Sequence, residues 1–426
     1  PRVSGEGGVM ARLRNALMTA AMIAAPLMAG PASAASTGGP TGDLKLDRMV
    51  MVMRHSVRPP TKAPSTPADT TAQPWSSWTT PFGELTPHGA EGARLMGVYN
   101  RTFLGARGLI PRDGCAPKGE VVVWASGKSR AIKTAESFVE GLQPGCGIVV
   151  EHPVSEDDDP VFHPAEGIDG ALALAAAQRQ KPGIQAEARL HAEDFKVLQR
   201  VLGCDPATKA GCDLAKRPSD LKGNKGDSPD VEGVLSVAST GGQTVLLEYV
   251  EGKPMDQVGW GRASKADIQA MLRFHPVKFH YEVGAPYIAE RYAAPIAKRV
   301  LSALNGEADT GRLTLLVGHD TNIAALRGFF GAHFTAADYP QDDPPPGGAM
   351  GFELLKDSGG HAFVRAFYTA QAMDQLRELQ PLTASNPPSY SYFPIPGCAV
   401  KGEATLCPLA TFQKIVGGKL ASPAKR

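Results

Sequence analysis

Arg54, His55 and Arg58 crowd together behind an apolar run in the stretch Met53-Arg54-His55-Ser56-Val57-Arg58-Pro59-Pro60. Two later stretches share the design: strand-forming Glu120 to Trp124 leads through small residues to Arg130, and Leu313 to Val317 leads into Gly318-His319-Asp320. If the three strand ends are neighbours, three guanidiniums and two imidazoles surround one point. Such a cluster repels itself unless a dianion sits within it, and planar forked donors match phosphate oxygens. The inferred chemistry is phosphoryl transfer, where catalysis is mostly charge stabilisation and positioning. His55 can take the phosphoryl group onto a ring nitrogen, and the surrounding positive charge keeps it neutral in mildly acidic solution. Asp320 is the carboxylic acid placed to protonate a leaving alkoxide and later to activate water.

The elements that must position these residues form three strand-loop-helix units. The apolar run Asp47 to Met53 reads as a buried strand, and Thr86 with Pro87 reads as the N-cap and first position of a helix running to about Leu104. Ile132, Ala135, Phe138, Val139 and Leu142 recur at helical spacing after Arg130, and a further helix starts at about Thr321. Polar residues just past strand ends occupy the edge at which open α/β sheets bind ligands. Met350 to Leu355 and Ala362 to Thr369 predict a closing antiparallel hairpin turning at Asp357 to Gly360. The segment between is Ala-rich and amphipathic, broken by a polar loop from Asp205 to Val231. The expected fold class is α/β: a mostly parallel central sheet flanked by helices, formed by residues 44–160 and 296–426, with a largely helical insertion at 161–295.

With 44 Lys and Arg against 43 Asp and Glu, nothing favours a nucleic-acid or anionic-membrane partner. Any anion specificity must be local. Met10 to Ala34 carries Arg12 and Arg14, an apolar stretch and Ala32-Ser33-Ala34, the pattern of a secretory signal peptide. Residues 1–9 are set aside, and the expected location is periplasmic or secreted. An oxidising compartment makes Cys115, Cys146, Cys204, Cys212, Cys398 and Cys407 candidates for disulfides. The intervals Cys204 to Cys212 and Cys398 to Cys407 suit local bridges, leaving Cys115 with Cys146. No Cys or His spacing suits zinc, and the acidic run Ser155 to Pro160 reads as a solvated loop. No metal or cofactor is expected. His88, His152, His163, His191, His275 and His280 lack comparable partners and read as ordinary surface or core residues.

Arg54-His55-Ser56-Val57-Arg58-Pro59-Pro60 with His319-Asp320 resembles the R-H-G-x-R-x-P and H-D signatures of the histidine acid phosphatases, branch 2 of the histidine phosphatase superfamily. "VRPPTK", "GELTPHG", "GWGR", "GHDTN" and "PPGG" extend the resemblance along the chain, toward bacterial periplasmic phytases. It implies His55 as nucleophile, Asp320 as proton donor, and Arg54, Arg58, Arg130 and His319 as phosphate ligands. It places Thr61, Lys62 and Glu248 near the rest of the substrate, and the three cysteine pairs also resemble family disulfides. Two departures stand out: Ser56 replaces Gly, and a family arginine falls at Tyr292, beside Arg291. The expected protein is a monomeric acid phosphatase acting on a small phosphate monoester, phytate first. A glucose-1-phosphatase or a broad-specificity acid phosphatase is the alternative, and a non-catalytic phosphate-ester binder the remote one.

Overall fold

The strand Lys45–Arg54 (β1) runs through the middle of the sheet with both faces covered. Its alternation explains why the sequence from Met49 to Met53 is apolar without interruption. Val50 and Val52 enter one core with the helices that follow residue 170, whereas Met49, Met51 and Met53 enter a second with Met96 and Phe138. The computed structural model describes residues 42–155, 158–164, 167–209 and 212–424. The Met10 to Ala34 segment, and part of the acidic run after Ser155, lie outside them.

The other strands are β2 (Val121–Ala125), β3 (Val150–Glu151), β4 (Ser219–Lys222), β5 (Asp230–Gly233), β6 (Leu313–Gly318), β7 (Ala349–Lys356), β8 (Ala362–Ala370), β9 (Ser389–Phe393) and β10 (Leu406–Pro408). The main sheet has the order β10-β8-β7-β1-β6-β2-β3, with β9 also paired to β8. β1, β6, β2 and β3 run parallel, while β7, β8, β9 and β10 add an antiparallel wing. The chain passes from β1 to β2 two places away and later returns to insert β6 between them. That reversal opens a crevice beyond the strand ends. Register levels it: Arg54 lies opposite Gly318, and Ala125 opposite Val317.

The expected elements are present with small shifts of boundary. Thr86 caps the Pro87–Ala106 helix by accepting from the Gly89 amide at 2.8 Å. The polar loop from Asp205 to Val231 is a correction, since β4 and the first half of β5 fall within it and pair as a hairpin. Four-residue strands among charged neighbours carry little periodic signal, and burial of Leu221 and Val231 is what holds them. β3, β9 and β10 were equally invisible, being short or at the sheet margin. Residues 170–305 otherwise supply mainly helices, among them Val234–Val250, Phe274–Glu282 and Pro286–Tyr292. Among the described residues no helix is long and apolar enough to cross a membrane. Cys115–Cys146, Cys204–Cys212 and Cys398–Cys407 are disulfide-bonded.

Helix Ser129–Leu142, whose first turn carries Arg130, lies tightly against Pro87–Ala106 because glycines meet at the crossing. A Cβ on Gly97 would fall 2.0 Å from the Phe138 carbonyl oxygen, and one on Gly141 would fall 2.0 Å from that of Arg94. Backbone cannot yield as a side chain can. Gly97→Ala is therefore expected to cost about 1–3 kcal/mol in urea unfolding and to depress turnover by moving Arg130. Gly417, in the helix Leu409–Ala421 with nothing within 4 Å of its would-be Cβ, is the control. Gly417→Ala should be neutral or stabilise by about 0.5–1 kcal/mol, and equal behaviour of the two variants would contradict the crossing argument.

Candidate active site

β1 ends at Arg54, β6 at Gly318 and β2 at Ala125, so the segments that follow them converge. Backbone bonds fix the nucleophile candidate from three sides: the His55 amide donates to Gly318 O at 2.8 Å, Arg54 N to Gly348 O at 2.9 Å, and Gly347 N to His55 O at 3.2 Å. Thr134 adds a fourth tie. Its hydroxyl accepts from the Ser56 amide at 3.1 Å and donates to Arg130 O at 2.7 Å, joining the His55 loop to the helix that carries Arg130.

His55 is 1% exposed, and its Nδ1 lies 2.9 Å from the Ser56 carbonyl oxygen. A carbonyl only accepts, so Nδ1 carries the hydrogen and Nε2 keeps a lone pair. The Arg58 Nε–H points to that Nε2 at 3.4 Å. Burial, then the positive charges of Arg58, Arg130 and Arg54, hold the imidazole well below its ordinary value. Burial, then the charges of Arg54 and Arg130, bring Arg58 down to about 9, still protonated in acidic and neutral solution. His319 is likewise lowered, by burial first and Arg130 second, with its Nε2 3.1 Å from the Ser126 hydroxyl.

Arg54 is nearly fully buried and donates to Pro344 O at 2.6 Å and to Gln243 Oε1 at 3.1 Å, while its Nη2 lies 3.0 Å from Asp320 Oδ2. Burial alone would raise the Asp320 carboxyl, but Arg54 and His275 outweigh it and hold the group well below the usual carboxylate range. Arg54 Nε, Arg130 Nε, Gln243 Nε2 and His319 Nδ1 are buried without a hydrogen-bond partner in the protein. Each such atom costs about 1–3 kcal/mol. Several at one strand edge mark a site built for an acceptor-rich ligand.

The adjoining cavity, about 250 Å³, is lined by Arg54, Arg58, Asp320, Thr61 and Lys62 together with helix residues that include Gln243, His275 and Lys278. Thr61 and Lys62, which the resemblance sets near the rest of the substrate, are thus part of the cavity wall. Glu248 does not line it: the carboxylate is buried, accepts from Ser76 Oγ at 2.6 Å and Gly259 N at 2.9 Å, and braces the loop after Pro254. Ser56 is fully buried and absent from the lining as well. Arg291 is taken up by the carbonyls of Tyr287 and Ala424.

Four residues that sequence reasoning missed are in or behind this wall: Thr134, Gln243, His275 and Asp343. By sequence His275 reads as an ordinary histidine, but it is buried 2.6 Å from Asp343 Oδ1 and 3.6 Å from Asp320 Oδ2. No local spacing signals this, because its partners lie in segments remote along the chain. Burial alone would lower His275, but Asp343 and Asp320 raise it above the ordinary imidazole value.

Histidine-selective 15N NMR checks the electrostatics. At about pH 5.5, roughly one unit below the ordinary value, the His55 ring is expected to be neutral with hydrogen on Nδ1, since a lowered group stays neutral until pH falls through its own value. A His55 imidazolium at that pH would contradict the geometry.

Residues 45–180 match the histidine phosphatase superfamily, branch 2. Phytase AppA of Escherichia coli K12 is 31% identical over 400 residues, covering 88% of this chain and 92% of that protein. A glucose-1-phosphatase of Salmonella typhimurium is 30% identical over 423 residues, covering 95% and 99%. The structure of Hafnia alvei phytase in complex with tartrate superposes with a TM-score of 0.82 at 31% identity, covering 89% of this chain and 98% of that one.

Proposed function

The chain belongs to branch 2 of the histidine phosphatase superfamily, and on that premise we propose that this phosphoric monoester hydrolase works through a phosphohistidine at His55, with phytate as its preferred substrate class. The observation that carries the reading is the set of unpartnered buried side-chain nitrogens beside a neutral imidazole that keeps its lone pair on Nε2, where only the Arg58 Nε–H approaches it. Arg54, Arg58, Arg130 and His319 grip the phosphoryl oxygens. His55 Nε2 forms the N–P bond as the P–O bond to the leaving group breaks, and Asp320 supplies the proton to that oxygen. Water then attacks phosphorus, gives its proton to Asp320, and phosphate departs from a regenerated imidazole.

Asp320 is ionised in the free site, which sets a condition on this sequence of steps. A dianionic phosphate beside Arg54 offsets the charge that depresses the carboxyl, so binding itself raises Asp320 toward its acid form. Asp320 therefore takes up the proton it must deliver only when substrate is in place.

Lys62 adds positive charge to the rim beside Lys278, which Glu282 pairs at 2.8 Å, and a polyphosphate ester suits that field better than a single phosphate does. The helical segment 161–295 acts in this proposal as a cap over the α/β part, since Gln243, His275 and Lys278 reach the cavity from it. Three disulfides support an exported protein. Glucose 1-phosphate is the rival substrate, favoured by the 30% identity to a glucose-1-phosphatase.

The test compares kcat/KM for phytate, glucose 1-phosphate and p-nitrophenyl phosphate in the wild type and in His55→Ala. Phytate is expected to exceed glucose 1-phosphate by about 10-fold or more, about 1.4 kcal/mol of discrimination, and His55→Ala to abolish release from all three. The reverse preference would overturn the phytase reading, and turnover persisting in His55→Ala would overturn the mechanism.

A further inference from the structure

Asp343 is completely buried, yet it carries a carboxylate in a protein interior where charge is costly. One oxygen, Oδ1, lies 2.6 Å from His275 Nδ1, and Oδ2 has no partner. The opposite ring nitrogen, His275 Nε2, faces Asp320 Oδ2 at 3.6 Å. Three side chains from separate segments thus form a line that ends on the group assigned to protonate the leaving oxygen: Asp343 before the Pro344-Pro345-Pro346 run, His275 in the first turn of Phe274–Glu282, and Asp320 at the start of Asp320–Phe330. Asp343 does not reach the cavity, whereas His275 and Asp320 line it.

We propose that His275 is the proton reservoir of Asp320, with Asp343 holding the charge that keeps the proton there. The inference rests on Asp320 being the general acid. In the free site the proton sits on His275 between two carboxylates. When a phosphate dianion offsets Arg54, the proton passes from His275 Nε2 to Asp320 Oδ2. It goes on to the leaving oxygen as the P–O bond breaks and the bond from His55 Nε2 to phosphorus forms. His275 is left neutral, hydrogen-bonded through Nδ1–H to the Asp343 carboxylate. During hydrolysis of the phosphohistidine, the proton lost by water returns through Asp320 to His275, so the cycle closes without net change. The 3.6 Å contact has to tighten for transfer, as catalytic contacts do in the substrate complex.

The charged groups facing His275 agree with this role. Asp343 and Asp320 stabilise its cationic form, while Lys278, one turn along the same helix, is paired with Glu282 at 2.8 Å. β1 contributes Arg54, which is neutralised locally by Asp320, and the Val234–Val250 helix contributes the uncharged Gln243. Phe279 packs on the ring, its centroid 4.6 Å away, and fixes its plane. A histidine retained only for packing would need no second carboxylate behind it.

The experiment measures kcat/KM against pH for glycerol 2-phosphate, whose alkoxide needs a proton to leave, and for p-nitrophenyl phosphate, whose phenolate does not. Asp320→Asn, His275→Gln and Asp343→Asn are each assayed on both substrates, and the ratio within one preparation is independent of how much of it is folded. His275→Gln is expected to lower the alkyl rate about 100-fold and the aryl rate less than about 3-fold. In Asp343→Asn, which removes the charge and keeps the shape, the alkaline limb of the alkyl profile should move down by about one pH unit or more. Equal losses on both substrates in His275→Gln, or an alkaline limb unmoved in Asp343→Asn, would overturn the reservoir while leaving Asp320 as the acid. If Asp320→Asn itself treats the two substrates alike, the acid assignment fails first, and the reservoir falls with it.

Discussion

Positive charge confined at the end of β1 is the constraint on which the rest depends. Arg54, Arg58 and Arg130 converge on a buried imidazole, and burial first, with their mutual repulsion behind it, lowers Arg58, Arg130 and His55 alike. Asp320, 3.0 Å from Arg54, is the carboxylate that relieves it in the free protein. The same charges do two things at once: they prepare the site for a dianion, and they keep His55 unprotonated so that its Nε2 lone pair is available. Holding such a cluster requires backbone that cannot relax, which the amide ties among His55, Gly318, Gly347 and Gly348 supply.

The sheet contributes through order and register more than through shape. Returning β6 between β1 and β2 puts three carboxyl ends side by side at one level, so residues far apart in sequence meet without any long side-chain reach. The glycine crossing of Pro87–Ala106 and Ser129–Leu142 then sets Arg130. Helices on the other side close the cavity with Gln243, His275 and Lys278. Stability elements and chemical elements are therefore hard to separate in this molecule, and Thr134, a single hydroxyl serving the Ser56 amide and the Arg130 carbonyl, is the plainest case.

Much of this was legible in the chain itself. An apolar run from Met49 to Met53 leading into Arg-His, followed by two further strands leading to Arg130 and to His319-Asp320, announces both the parallel sheet and the edge that binds. Thr86-Pro87 marks a helix start by local chemistry alone. His275 and Asp343 were not legible, because what distinguishes a working histidine from a core one is a partner supplied by tertiary structure. Glu248 fails for the complementary reason: its position along the helix brings it near the site, but the Ser76 hydroxyl and the Gly259 amide claim both carboxylate oxygens. The β4-β5 hairpin escaped because short strands among charges have too few residues to show a period.

The central claim is that His55 Nε2 is the atom that receives the phosphoryl group. Rapid quenching of the enzyme during turnover into alkali, followed by peptide mapping and 31P NMR of the labelled fragment, tests it directly. The account predicts an acid-labile phosphoramidate on Nε2 of His55, appearing within the first turnover and absent from His55→Ala. Phosphate on Nδ1 or on another residue would contradict it, as would turnover at full rate with no covalent phosphate trapped.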